Sequence, residues 1–303
     1  MPRLRTFFVL SLLLGISACA AIHPSLATPT GDPSTPTLNL PTPTASITPS
    51  PTPIPSPTPL ACLNQPGSVR SGALETSKPA QQYLIYLPPC YDEMTQEHYP
   101  VLYLLHGQTY IDDQWVRLGA ATVADKLIHS GQASPFIIVF PDDRYWNLPP
   151  GSGFGDRLIN NVIPFIDLNF RTIPDRQHRA LGGLSRGGGW AIHMLLTHYG
   201  LFGIIGLHSP VIFEDDASVL ERLVSAVPSN SWPHLWMDAG DHDGELGNIT
   251  MFETMLTDYQ VPHEWHLYGG DHTEKYWSTH ITEYLQWYAQ QFAVAQPIAS
   301  PTP

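Results

Sequence analysis

The sequence predicts an α/β fold: a doubly wound, mostly parallel sheet with helices on both faces. Three observations carry this. Short runs rich in β-branched, aromatic and other apolar residues recur at 83–87, 101–105, 136–140, 180–184, 203–207, 235–238 and 263–268. Several are near-continuously apolar, as strands covered on both faces must be. Between them lie segments with apolar residues at three- and four-residue steps, the helical period. Alternation of the two kinds calls for crossover connections, which are right-handed and lay successive strands parallel. No internal repeat is visible, and nothing marks a second globular domain.

The N-terminus reads as an address. Arg3 and Arg5 precede the apolar run 7–14, the pattern of a secretory signal. The run is too short for a transmembrane helix, which needs ~20 residues. It ends in Ile16-Ser17-Ala18-Cys19, small residues before a cysteine, similar to a bacterial lipobox. The expectation is a signal peptide over 1–18 and a diacylated Cys19 at the mature N-terminus. The exported chain would then meet the bacterial membrane through its lipid anchor only. Residues 19–60 are expected to form a stalk, since 24–60 hold 12 Pro and 9 Thr with Asp32 as the single charge. Such a segment lacks regular amide donors, buries no core and favours polyproline II. At ~3.1 Å per residue it would reach on the order of 100 Å.

The folded part is expected at 61–293, with 294–303 a frayed tail of stalk-like composition. Its helices are predicted over 116–128, 157–170, 188–197, 218–224, 251–259 and 276–292. In the second, Leu158, Val162, Phe165, Ile166 and Phe170 share one face, and Pro164 should kink it. Apolar residues make up 43% of the chain, enough for a sizeable core. A net charge of −13 argues against nucleic acid as a partner, because phosphates need a basic stripe. Three cysteines without a Cys-x-x-Cys pair argue against a structural zinc site. With Cys19 assigned to lipidation, an oxidising destination favours a disulfide between Cys62 and Cys90. Two independent buried thiols are the other reading.

The strongest chemical signal is Gly183-Leu184-Ser185-Arg186-Gly187, which fits the G-x-S-x-G nucleophile elbow. An apolar strand pattern enters it and a helical pattern leaves it, and that context weighs more than the pentapeptide. The turn strains the backbone at the serine and requires glycine where any Cβ would collide. A serine hydroxyl is a weak nucleophile and needs a base, itself oriented by an acid. In a strand–elbow–helix arrangement these follow in the order serine, acid, histidine. Among 14 histidines, His272 stands on the loop after the last strand pattern and is the candidate base. His263 and His266 are three apart within one predicted strand, so they face opposite sides and are set aside. The acid belongs to the group Asp238, Asp241 and Asp243. Asp238 reads as strand, leaving Asp243 preferred and Asp241 as its substitute. Two backbone donors are expected for an oxyanion: the amide of Arg186, next after the serine, and that of Gln108, after His106-Gly107 at the end of a strand.

These pieces carry a family resemblance. Tyr-Leu-Leu-His-Gly at 103–107 with downstream Trp115, Val-Ile-Pro-Phe-Ile-Asp at 162–167 and Arg-Ala-Leu-Gly-Gly-Leu-Ser-Arg-Gly-Gly at 179–188 are three of them. Asp-x-Gly-x-x-Asp at 238–243 and Gly-Gly-Asp-His-Thr-Glu-Lys-Tyr-Trp at 269–277 complete the set. Together the chain resembles the Putative esterase family of α/β-hydrolases, which includes esterase D, feruloyl esterases, enterochelin esterase-like proteins and mycobacterial mycolyltransferases. The resemblance implies an α/β-hydrolase fold and a Ser185–His272–Asp243 triad, the last Asp of the acidic motif being the family's acid. It implies ester hydrolysis through an acyl-enzyme, with no metal or organic cofactor. Arg186 stands where the family more often has Met or Gln. The expected partner is a small-molecule or polysaccharide-linked ester, with acyl or feruloyl esters of carbohydrates the natural class for a surface enzyme. Tyr145, Trp146, Trp190, Trp232 and Trp277 are candidates for a cleft that receives it. Two other readings remain open: an acyltransferase using an alcohol acceptor, and a catalytically inactive surface binding lipoprotein.

Overall fold

The computed structural model describes residues 61–144 and 153–295. The expected signal peptide, Cys19 and the stalk lie outside the described residues, as does the segment from 296 onward. A 3-10 turn (Ala61–Asn64) leads to β1 (Ser68–Leu74), β2 (Gln81–Leu87) and β3 (Val101–Leu105). Then come α1 (Gln114–Arg117), α2 (Ala120–His129), β4 (Ile137–Pro141), α3 (Phe154–Arg157), a π turn (Leu158–Val162) and α4 (Ile163–Asn169). Next are β5 (Arg179–Ser185), α5 (Arg186–Thr197), β6 (Ile204–Pro210), α6 (Glu214–Ala217) and α7 (Leu220–Ala226). The chain continues through β7 (His234–Gly240), α8 (Leu246–Asp258), β8 (Glu264–Tyr268) and α9 (Glu274–Ala295). The strands form one sheet in the order β1-β2-β4-β3-β5-β6-β7-β8. Strands β3 to β8 run parallel to one another. β1 and β2 are antiparallel additions at one edge.

The pleat sorts the apolar runs into two cores. From β3 and β4, Val101, Tyr103, Leu105, Ile137 and Val139 face Ile166, Leu195, Val224 and Phe252 of α4, α5, α7 and α8. The intervening Leu102, Leu104, Ile138 and Phe140 face Val123, Leu127, Leu285 and Phe292 of α2 and α9. This is the period-two alternation of a strand with both faces apolar, which is why the runs read as continuous. Each such buried side chain contributes ~1.5–3 kcal/mol.

Three expectations need correction. β1 was not foreseen, because Ser68, Arg70, Ser71 and Gly72 make no apolar run. It is an edge strand with an exposed stretch at 69–71, and Arg70 on it pairs with Asp92 at 2.5 Å. The helix expected over 116–128 is two helices. Gly119, at φ +104°, turns the chain between α1 and α2 in a conformation that an L side chain resists. The kinked helix expected over 157–170 begins earlier and runs through α3, the π turn and α4. Pro164 lies in the first turn of α4. Its ring crowds the carbonyl four residues back and it has no amide to donate. Widening the preceding turn to π geometry accommodates both faults.

Candidate active site

The carboxyl ends of β3, β5, β6, β7 and β8 deliver their loops to one rim of the sheet, where open α/β sheets place their ligands. Ser185 closes β5 and precedes the first residue of α5. Its backbone sits at φ +53° and ψ −118°, a strained conformation for a serine. Two glycines permit the turn. A Cβ on Gly183 would lie 2.2 Å from the Gly187 carbonyl, and one on Gly187 would lie 2.2 Å from the Leu105 oxygen.

His272 reaches this serine from the β8–α9 loop. Its Nε2 is 2.8 Å from Ser185 Oγ, and its Nδ1 is 2.9 and 3.0 Å from the two oxygens of Asp243. An ionised carboxylate only accepts, so Nδ1 carries the proton and Nε2 is left to accept from the serine hydroxyl. Asp243 follows β7 and is buried. It also accepts from Ser209 Oγ at 2.6 Å and from the Glu245 amide at 2.8 Å. Burial works to raise its pKa. The hydrogen bonds from His272, Ser209 and Glu245 outweigh that and hold the carboxyl below its ordinary value. The geometry therefore favours an ionised acid facing the imidazole.

The other aspartates of the group have different places. Asp241 is exposed and accepts from the Gly270 amide at 2.9 Å and from His242 at 2.7 Å, bracing the loop that carries His272. Asp238 is wholly buried within β7, on the α9 side of the sheet. It accepts from His208 and Trp236 on one oxygen and from Tyr276 and Tyr284 on the other. His263 precedes β8 and points to Glu253, while His266 stacks on Trp236 with ring centroids 3.8 Å apart. Neither approaches Ser185.

Arg186 opens α5, so its amide lies at a helix N-terminus next to the serine, where the aligned peptide dipoles favour negative charge. Gln108 lies in the loop after β3. With Ser185, His272, Tyr110 and Trp277 it lines a cavity of about 310 Å³. The Trp277 ring stands edge-on to the His272 ring at 5.0 Å. A second cavity, of about 440 Å³, opens beyond the Arg186 side chain and is walled by Trp190, Phe213, Met194 and Ile159. Acidic side chains, among them Asp156, Glu214 and Asp215, also line it. Trp232 lies beside the opening residues of β6 and β7, at the opposite end of the sheet from Ser185. Tyr145 and Trp146 lie outside the described residues.

Two further residues of the site were not foreseen. Ser209, at φ +47° at the end of β6, is wholly buried against Asp243. Asp143, just past β4, accepts from Arg186 Nε at 2.9 Å and from Trp190 Nε1 at 2.7 Å. Burial pushes its carboxyl pKa up, against the pull of the Arg186 guanidinium. The Asp143 amide in turn donates to His106 Nε2 at 2.7 Å. Proximity to a strand end is the only sequence signal either residue carries.

The family model described as Putative esterase matches residues 78–288. A stretch of 146 residues, 45% of the chain, is 36% identical to an endo-1,4-beta-xylanase/feruloyl esterase of Xylanibacter ruminicola, of which it covers 20%. A stretch of 119 residues, 37% of the chain, is 35% identical to an esterase of Mycobacterium tuberculosis, of which it covers 25%. The chain thus spans a fifth to a quarter of the length of these curated relatives. Among solved structures, a ferulic acid esterase superposes with a TM-score of 0.67 at 26% identity, over 75% of this chain and 99% of that one.

Proposed function

Because the chain belongs to the Putative esterase family, we propose that it is a serine carboxylic-ester hydrolase working through a Ser185–His272–Asp243 triad on an α/β-hydrolase fold. The observation that carries this is the unbroken line from Asp243 through His272 to Ser185 Oγ, with 2.9 and 2.8 Å steps. His272 Nε2 takes the hydroxyl proton as Oγ bonds to the ester carbonyl carbon. The carbonyl electrons move onto oxygen, and the amides of Arg186 and Gln108 stabilise that charge. Asp243 keeps the imidazole oriented and offsets its positive charge. The tetrahedral species collapses as the imidazolium protonates the departing alcohol, leaving an acyl-serine. Water then attacks the acyl carbon and gives a proton to His272; on collapse the bond to Ser185 Oγ breaks, His272 returns that proton to Oγ, and the carboxylic acid departs. No metal or organic cofactor enters these steps.

The departing oxygen must sit within reach of His272, so the alcohol occupies the cavity with Tyr110 and Trp277. The acyl group then lies toward Trp190 and Phe213. A cavity of about 440 Å³ with aromatic walls suits an acyl group the size of a phenylpropanoid. The curated relative carrying a feruloyl esterase supports feruloyl or other acyl esters of carbohydrates as the substrate class. The lipobox-like segment supports an exported, membrane-anchored protein, and the disulfide joining Cys62 and Cys90 agrees with an oxidising compartment.

The test is labelling with a fluorophosphonate followed by a panel of acetyl, longer acyl and feruloyl esters. Label should attach at Ser185, and Ser185→Ala should abolish labelling and lower kcat by about 10⁶-fold, the scale seen when a triad nucleophile is removed. Parent-like hydrolysis by that variant would refute the assignment.

A further inference from the structure

Gln114 lies in α1, seventy-one residues before the nucleophile, and no part of it reaches solvent. A buried carboxamide must satisfy both of its ends, since an unpaired amide in an apolar site is costly. Its Oε1 accepts from the Gly107 amide at 2.8 Å. Its Nε2 donates to Glu274 Oε1 at 3.2 Å. The orientation is not arbitrary: a backbone N–H can only donate and a carboxylate can only accept. Among neutral side chains of this length, only a carboxamide serves both partners at once.

Those partners sit on the two loops that must cooperate. Gly107 is the second residue of the loop after β3, and the next amide is that of Gln108. A Cβ on Gly107 would lie 3.7 Å from Ser185 Cβ, so this peptide passes directly beside the nucleophile. Glu274 begins α9, two residues past His272. Its carboxylate is held from another side by Arg117 at 3.1 Å, which pairs with Asp113 at 3.3 Å. The Gly107 amide is already engaged by Gln114, so Gln108 is the nearer candidate for a substrate oxygen.

We propose that Gln114 is a positioning residue that ties the Gly107–Gln108 peptide to the His272 loop and fixes the spacing between oxyanion donor and base. The inference rests on the esterase reading above. Donor and base must act on one carbonyl group, and errors near 1 Å in such settings cost up to about 100-fold in rate. Gln114 sets that spacing without touching substrate.

Gln114→Met keeps length and approximate volume and removes both hydrogen bonds. Rates are expressed per active site, with sites counted by fluorophosphonate labelling carried to completion. Expected is a fall of about 10–100-fold in kcat and kcat/KM together, with KM within about twofold. Binding of an arylboronic acid, which forms a tetrahedral adduct on the serine, should weaken by a similar factor. A role confined to folding would lower the labelled fraction or Tm and leave kcat per labelled site unchanged, and that result overturns the proposal. A second arm does not depend on an apolar substitution. Gln114→Glu still accepts from Gly107 but opposes Glu274, and should be impaired. Adding Glu274→Gln reverses the polarity of the second hydrogen bond and should recover most of the loss, a coupling that additive effects cannot produce. An exchanged pair no better than Gln114→Glu alone also overturns it. A parent that neither labels nor hydrolyses any ester sinks the esterase reading and this one with it. An active parent with an unaffected Gln114→Met variant sinks only this one.

Discussion

At the scale of single residues, the site is a set of carboxylates given different fates by their surroundings. Asp243 is drawn down by three hydrogen-bond donors despite burial. Asp143 is pushed up because burial outweighs its arginine. Asp112, in the loop between β3 and α1, is pushed up to about 6 by burial, with the Asp142 charge adding and Arg144 and His106 opposing. A carboxyl whose folded pKa exceeds its unfolded value of ~3.9 binds its proton more tightly in the native state. Its stabilising contribution is complete below about pH 4 and is lost as pH rises through about 6. Asp112→Asn, which carries no charge at any pH, should therefore gain stability relative to the parent over that window. Thermal melts at pH 4, 5, 6 and 7 check this: the Tm difference should grow with pH and level off above about 6. A constant difference would mean that the carboxyl is not perturbed. Ser185 and His272 were legible in the sequence and the acid was narrowed to Asp243 or Asp241, because elbow chemistry and chain order prune candidates. Ser209, Asp143 and Gln114 were not, because a hydroxyl, a carboxylate or a carboxamide beside a strand end looks the same whether or not it meets the site.

At the scale of elements, apolar periodicity located β2 to β8 and missed the edge strand β1. β3 and β4 are buried along their whole length and announce themselves as apolar runs. β1 is held by main-chain pairing to β2 from Ser68 opposite Leu87 to Leu74 opposite Gln81, and backbone hydrogen bonds leave no composition signal. Helix ends were less legible than helix interiors. Gly119 was read as part of one helix, yet it divides α1 from α2 and so places Gln114 and Trp115 on a separate turn that packs under the β3 loop. Trp115 Nε1 donates to the Leu105 carbonyl at 2.9 Å there. A Cβ on Gly119 would meet nothing within 4 Å, so the cost of substitution is backbone strain alone. Gly119→Ala should destabilise by about 1–2 kcal/mol, measured as a lower urea midpoint with an unchanged m-value.

At the largest scale, across the described residues, two apolar layers enclose one sheet, and a covalent tie joins the 3-10 turn before β1 to the loop after β2. The Cys62–Cys90 disulfide closes a loop of 28 residues, which on the chain-entropy model stabilises by roughly 3.5 kcal/mol. Replacing both cysteines with serine should lower the urea midpoint by a corresponding amount under non-reducing conditions; an unchanged midpoint would show that the tie constrains little in the unfolded chain. What the residues determined unaided were the alternation of strand and helix, the elbow at Ser185 and the family to which it points. Those are local properties: side-chain period, backbone stereochemistry at glycine, and a short spacing of chemical groups. The packed chain alone decided which aspartate meets His272, that Ser209 supports that aspartate, and that Gln114 spans from Gly107 to Glu274. The Asp243–His272, Ser209–Asp243 and Gln114–Glu274 contacts join positions 29 to 160 residues apart, and separation along a chain carries almost no information about separation in space until the sheet has set its strand order.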